Sequence, residues 1–176
     1  CITWLPTYLQ EHWHLTGEEA SRYQVLPLFL GGIGAILSGY FSPRLAARIG
    51  STSKARRIVS TFGFAGAASL MLSTTMITSP LLAMVAMGMA SFCNDLVMPN
   101  AWGACMDVGG KFAGTLSGSM NMMGNFAGLL FPVLAPYILG YYHNDWNQVL
   151  VVMAAVYLCG ALVWPFIDPV TPLKQD

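Results

Sequence analysis

Long apolar stretches alternate with short polar segments along the chain, at about 23–41, 58–77, 81–106, 112–138 and 149–167. Each approaches or exceeds the roughly 20 mostly apolar residues that a helix needs to cross a bilayer. A shorter apolar segment, at about 1–10, reads as the trailing part of one more membrane helix, and with it the chain reads as a piece of a longer polypeptide. It has neither the charged leader nor the small-residue cleavage site of a signal peptide. Asp95 is the sole charged side chain inside the five complete spans, and Asp107 lies just beyond the third. The pattern predicts an all-α fold, a polytopic membrane bundle forming one domain over 1–176.

Composition sharpens this. Eight basic and eight acidic residues make 9% charge, against about 25% in soluble domains. With 55% hydrophobic residues and a mean hydropathy of +0.57, an ordinary soluble domain and a disordered chain are both excluded. The formal net charge is zero and no basic run alternates with aromatics, so nucleic acid is set aside as a partner. The partner that composition does imply is the lipid bilayer.

Orientation follows from the short connections, because Lys and Arg are retained on the cytoplasmic side. The 42–57 segment holds Arg44, Arg48, Lys54, Arg56 and Arg57; alternation puts Lys111 and Lys174 on the same side and leaves Arg22 opposite. The C-terminus is therefore expected in the cytoplasm.

Cys1, Cys93, Cys105 and Cys159 are widely spaced and form no zinc pattern, so they read as small hydrophobes. His12 and His14 flank Trp13, and His143 lies near Asp145; this spacing lacks a second ligand pair and suits interfacial anchors, so neither metal nor cofactor is expected. No Ser/His/Asp or Cys/His set, no HExxH and no phosphate-cradling loop is present, which leaves a catalytic reading without its parts.

Polarity at membrane depth is expensive, about 2.5–3.5 kcal/mol for an ionisable group at a helix centre. Asp95 sits near the middle of its span beside Asn94, with Pro99 four residues on. Pro99 has no N–H for the Asp95 carbonyl, so a kink is expected. Helical phasing puts Ser91, Asp95, Pro99 and Trp102 on one face, with Asn100 off it. Such a face lines a polar cavity or packs a satisfied network; the first reading makes Asp95, Asn94 and Ser91 pathway or coupling candidates. In the next span Gly114, Ser117, Gly118, Asn121, Gly124, Asn125 and Gly128 form a polar and small stripe, with Phe112, Leu116, Met123, Phe126 and Leu130 on its reverse. Paired amides on one face point to substrate contact rather than helix glue, because hydrocarbon cannot satisfy them. Gly31, Ala35, Ser38 and Gly39 form a small-residue face suited to close packing.

Three segments carry a family resemblance. Thr3-Trp4-Leu5-Pro6-Thr7-Tyr8-Leu9 is similar to the end of the seventh helix of major facilitator superfamily transporters. Trp102-Gly103-Ala104-Cys105-Met106-Asp107 is similar to the end of the tenth. Ala113-Gly114-Thr115-Leu116-Ser117-Gly118 with Asn121, Gly124 and Asn125 resembles the eleventh. Essentially the whole chain resembles the C-terminal six-helix half of such a transporter, within the anion:cation symporters of hexuronate, galactonate, glucarate and sialic acid. The resemblance implies proton- or sodium-coupled movement of a small organic anion by alternating access, with a missing N-terminal six-helix half as partner and a cell (inner) membrane location. It also implies that Asn100, Ala101, Trp102 and Asn121 touch the solute. One departure stands out: Gly39-Tyr40-Phe41-Ser42-Pro43-Arg44 places Pro43 where the family's gate-latching Asp is expected. The competing reading is a non-transporting membrane-embedded binding or scaffold subunit.

Overall fold

The computed structural model describes residues 5–173; Cys1, Thr3, Trp4 and Lys174 lie outside the described residues. Seven α-helices follow one another: α1 (Leu5–Trp13), α2 (Gly17–Ile49), α3 (Thr52–Thr74), α4 (Pro80–Asp95), α5 (Met98–Gly109), α6 (Ala113–Tyr141) and α7 (Trp146–Val163), with 3-10 turns at Gly110–Phe112 and Trp164–Phe166. There is no strand among the described residues. The fold is all-α, as the apolar pattern predicts.

Helix limits depart from the apolar stretches in instructive ways. α2 has 33 residues, about 50 Å at 1.5 Å per residue, and outruns a hydrocarbon core of about 30 Å. Apolarity stops where the membrane stops, whereas backbone hydrogen bonding continues into the polar layers. At one end Thr16 and Glu19 form a reciprocal capping box; at the other Gly50 takes a left-handed φ of 71° and its N–H closes on the Ala46 carbonyl. The 42–57 segment, expected as a connection, is thus the last turns of α2, a tight turn at Gly50-Ser51 and the start of α3, with Pro43 inside a helix. α7 begins at Trp146 because Asp145 accepts from Asn147 N–H at 3.0 Å. Pro165 follows its end at Val163.

Among the described residues three helical stretches, Gly17–Ile49, Pro80–Tyr141 and Trp146–Phe166, are long and apolar enough to cross a membrane, and the second holds both expected spans 81–106 and 112–138. α3 has the length but carries Lys54, Arg56 and Arg57 in its first turns and Ser60, Thr61, Ser69 and Ser73 beyond. The connections alternate between two ends. At one, Arg56 Nη1 reaches Asp107 Oδ2 at 2.7 Å and the Pro169 carbonyl at 2.8 Å, Arg57 Nε donates to the Ile167 carbonyl, and Leu173 N–H donates to the Val108 carbonyl. At the other, Trp146 Nε1 donates to Glu11 at 3.2 Å.

The core sits toward that second end, where Leu9, Met84, Val149 and Trp146 are buried among α1, α3, α4 and α7. α2 joins it through a buried stripe of small residues, Pro27, Gly31, Gly34, Ser38 and Ser42, against α4 and α5. At Gly34 the approach is so close that a Cβ would overlap the Phe92 carbonyl oxygen. Gly39, read as part of the small-residue face, is exposed instead.

Candidate functional site

The expected kink at Pro99 is a full break. α4 ends at Asp95, Leu96 and Val97 form a turn, and α5 begins at Met98, with Pro99 in its first turn. The break separates residues that ideal phasing had put on one face. Ser91 lines a small, mostly apolar cavity of about 40 Å³ with Tyr8, Met87 and Trp146, while Pro99 lines a cleft of about 490 Å³ between α2, α3 and α5 at the basic end.

Asp95 is half-buried, its Oδ2 resting on Gly31 of α2 where a Cβ would collide with it. Its recorded hydrogen-bond partner is its neighbour, Asn94 Nδ2 to Oδ1 at 2.8 Å, and no ion pair reaches it among the described residues. Ser91 Cβ packs on the same glycine, so this side of α4 faces α2.

Asn100 is 2% exposed and faces α2, where its amide engages Ser38 and Ser42, and it also donates to the Leu96 carbonyl in the turn before α5. Ala101 and Trp102 are half-buried. On α6, Asn121 and Asn125 are exposed, and Asn125 Nδ2 donates along the helix to the Asn121 carbonyl at 2.9 Å. A Cβ at Gly114, Gly118, Gly124 or Gly128 would meet open space, so the stripe is uncovered along its length. Its reverse face, with Met123 and Phe126, is exposed too, and α6 is buried only at Ala135 and Leu139 near its end. Cys105 and Met120 touch at 3.4 Å between sulfurs, bringing the turn after Trp102 beside the residue before Asn121.

Residues 1–132 match the sequence profile of the Major Facilitator Superfamily. The chain belongs to the major facilitator superfamily. It is similar to a probable sulfoacetate transporter of Cupriavidus necator, 30% identical over 96% of this chain and 39% of that protein. A probable chloroplastic anion transporter of Oryza sativa is 29% identical over 93% of this chain and 30% of its own length. A probable L-galactonate transporter of Escherichia coli is 25% identical over 99% and 39%. The chain therefore spans between 30 and 39% of these relatives. Superfamily and relatives are transporters, not enzymes, and the long apolar helices belong to a multi-pass membrane protein.

Residue patterns alone missed two features. Arg56, read only as a topology signal, is an interhelical tie: its guanidinium lies over Gly103, where a Cβ would stand 2.8 Å from Nη2. Ser42, assigned to a connection, is a buried member of the α2 stripe. Its spacing of four from Ser38 was the available signal.

Proposed function

We propose that the chain is the C-terminal half of a secondary transporter that moves a small organic anion, such as a sugar acid, by alternating access driven by protons or sodium. An N-terminal six-helix half then completes the solute cavity. The observation that carries this reading is the uncovered amide stripe of α6, Asn121 and Asn125, next to the helical turn that follows Trp102. Amides at membrane depth cannot be left facing lipid, so the stripe borders an aqueous cavity closed by the other half. The names of the relatives, sulfoacetate and L-galactonate transporters among them, favour an organic anion.

Trp102 and Asn121 hydrogen-bond the solute in this reading, with Ala101 and Asn125 bordering the cavity and Ser91, Asn94 and Asp95 belonging to the coupling pathway. A lost hydrogen bond costs about 0.5–1.5 kcal/mol, or about 1.5–3 when the partner is charged. Asn121→Ala in the full-length protein is thus expected to weaken apparent affinity roughly tenfold at near-normal expression. Unchanged uptake across a series of sugar acids would make the stripe a packing surface and favour the scaffold reading.

The basic end is assigned to the cytoplasm, in a cell (inner) membrane with the C-terminus inside, on the count of Lys and Arg. A cysteine introduced at Ser53 is expected to resist membrane-impermeant maleimide in intact cells, and one at Asn144 to react. The reverse pattern inverts the topology.

A further inference from the structure

Backbone groups opened by a helix break at membrane depth find no water in hydrocarbon, so protein side chains have to meet them. At the α4–α5 break the Leu96 carbonyl is met twice, by Ser38 Oγ at 2.5 Å and by Asn100 Nδ2 at 3.0 Å. Asn100 Nδ2 spends its second proton on Ser38 Oγ at 3.2 Å, and Asn100 Oδ1 accepts from Ser42 Oγ at 2.6 Å. A carbonyl oxygen only accepts, so the amide nitrogen must face Leu96 and the amide oxygen must face Ser42. Ser38, Ser42 and Asn100 are 0%, 9% and 2% exposed. Both amide protons are therefore committed, and Asn100 has no donor to offer a solute.

Packing anchors the break on its α3 side, where Val97 is buried against Gly63, and leaves the α2 side to these hydrogen bonds. The buried residues of α5 are Asn100, Cys105 and Gly109, and the cleft of about 490 Å³ opens beside Ser38, Ser42, Pro99 and Asn100. With free volume on the α2 side of the break, the hydrogen bonds set how α5 lies against α2.

We infer that Ser38, Ser42 and Asn100 are positioning residues, a clamp from α2 to α5 that fixes the α4–α5 break and thereby aims Trp102, two residues beyond Asn100, without touching the solute. This rests on the reading of Trp102 as solute-facing. It also moves Asn100 from the solute contacts that the family resemblance implies to the support behind them.

The test uses the full-length transporter, with galactonate and sulfoacetate as probes in exchange assays and maleimide labelling of a cysteine at Ala47, which lines the cleft. Ser38→Ala, Ser42→Ala and Asn100→Ala are each expected to lower turnover, to roughly a tenth for Asn100→Ala, while leaving the ratio of the two KM values unchanged. The double variant Ser42→Ala/Asn100→Ala should be no worse than Asn100→Ala alone, because the second change breaks a bond already lost. Asn100→Asp carries a proton to donate only when protonated, so its activity relative to wild type at the same pH should recover on acidification. Labelling at Ala47→Cys should speed up severalfold in the alanine variants as α5 loosens.

A changed KM ratio in Asn100→Ala, with wild-type behaviour in both serine variants, would make Asn100 a solute contact and overturn the clamp. If the wild-type protein exchanges neither probe, the transport reading loses its support, and the labelling still decides: an unchanged rate in Ser38→Ala and Ser42→Ala overturns the clamp. The serine variants also stand in if Asn100→Ala does not fold.

Discussion

Asp95→Asn is expected to retain solute exchange while losing accumulation driven by the ion gradient. The argument is one of cost and of partners. An ionised carboxylate at membrane depth, here at the end of α4, costs up to about 2.5–3.5 kcal/mol unless it is paired, solvated or neutralised. Asp95 has Asn94 as its recorded hydrogen-bond donor, rests on Gly31 and forms no ion pair among the described residues. Two of the arginines are committed elsewhere, Arg56 to Asp107 and Arg22 to Glu18. In the ion-coupled cycle proposed above, a carboxylate so placed is the group assigned to take up the proton or cation. Asparagine keeps its size and its acceptor for Asn94 but can neither bind a proton at this range of pH nor balance a cation. Counterflow of labelled solute in proteoliposomes should therefore persist, whereas uptake against a gradient should fall to equilibration. Wild-type accumulation by Asp95→Asn from about pH 5.5 to about pH 8 would remove Asp95 from the coupling path.

Gly34→Val should abolish assembly of the folded bundle. The Cβ of any larger residue at this position meets the backbone carbonyl of Phe92, and a helix backbone cannot turn aside as a flexible side chain can. α2 and α4 would have to separate, and with them would go the Gly31–Asp95 approach and the Ser38 bond to Leu96. Overpacking typically costs about 1–3 kcal/mol when side chains can yield; here the obstacle is main chain, in a family of interfaces that depends on small residues for close approach. The cost here exceeds that range and approaches the total stability of about 5–15 kcal/mol, because α2 and α4 must part along their length rather than repack one side chain. Gly32→Val is the control, since a Cβ there meets nothing within 4 Å. Fluorescence-detected size exclusion should give a monodisperse peak for Gly32→Val and little or none for Gly34→Val. Equal peaks would show that α2 and α4 do not pack as described.

Much of the architecture is local and so was legible in the residues themselves. Apolar length marked the helices that lie at α2, α3, α4–α5, α6 and α7, because a membrane helix closes its hydrogen bonds within a few residues of each donor. Pro99, four residues after Asp95, announced a disturbance that the structure places at Leu96 and Val97, since a missing N–H is a property of one residue. The helix ends were less legible: α2 runs on to Ile49 after its hydrophobicity has ended, and only capping chemistry at Gly50 stops it.

What the residues could not decide was rotation and partnership. Ideal phasing carried Ser91, Asp95, Pro99 and Trp102 along one face, but the break resets the phase between Asp95 and Met98, so the two halves of that face open on different cavities. Ser42 and Asn100 are 58 positions apart and became partners only when α2 and α5 crossed. Arg56 looked like a marker of sidedness until the space over Gly103 let it reach Asp107. Helix formation is decided by neighbours within one turn, whereas the direction of a polar side chain is decided by whichever helix packs against it, and that choice belongs to the tertiary structure.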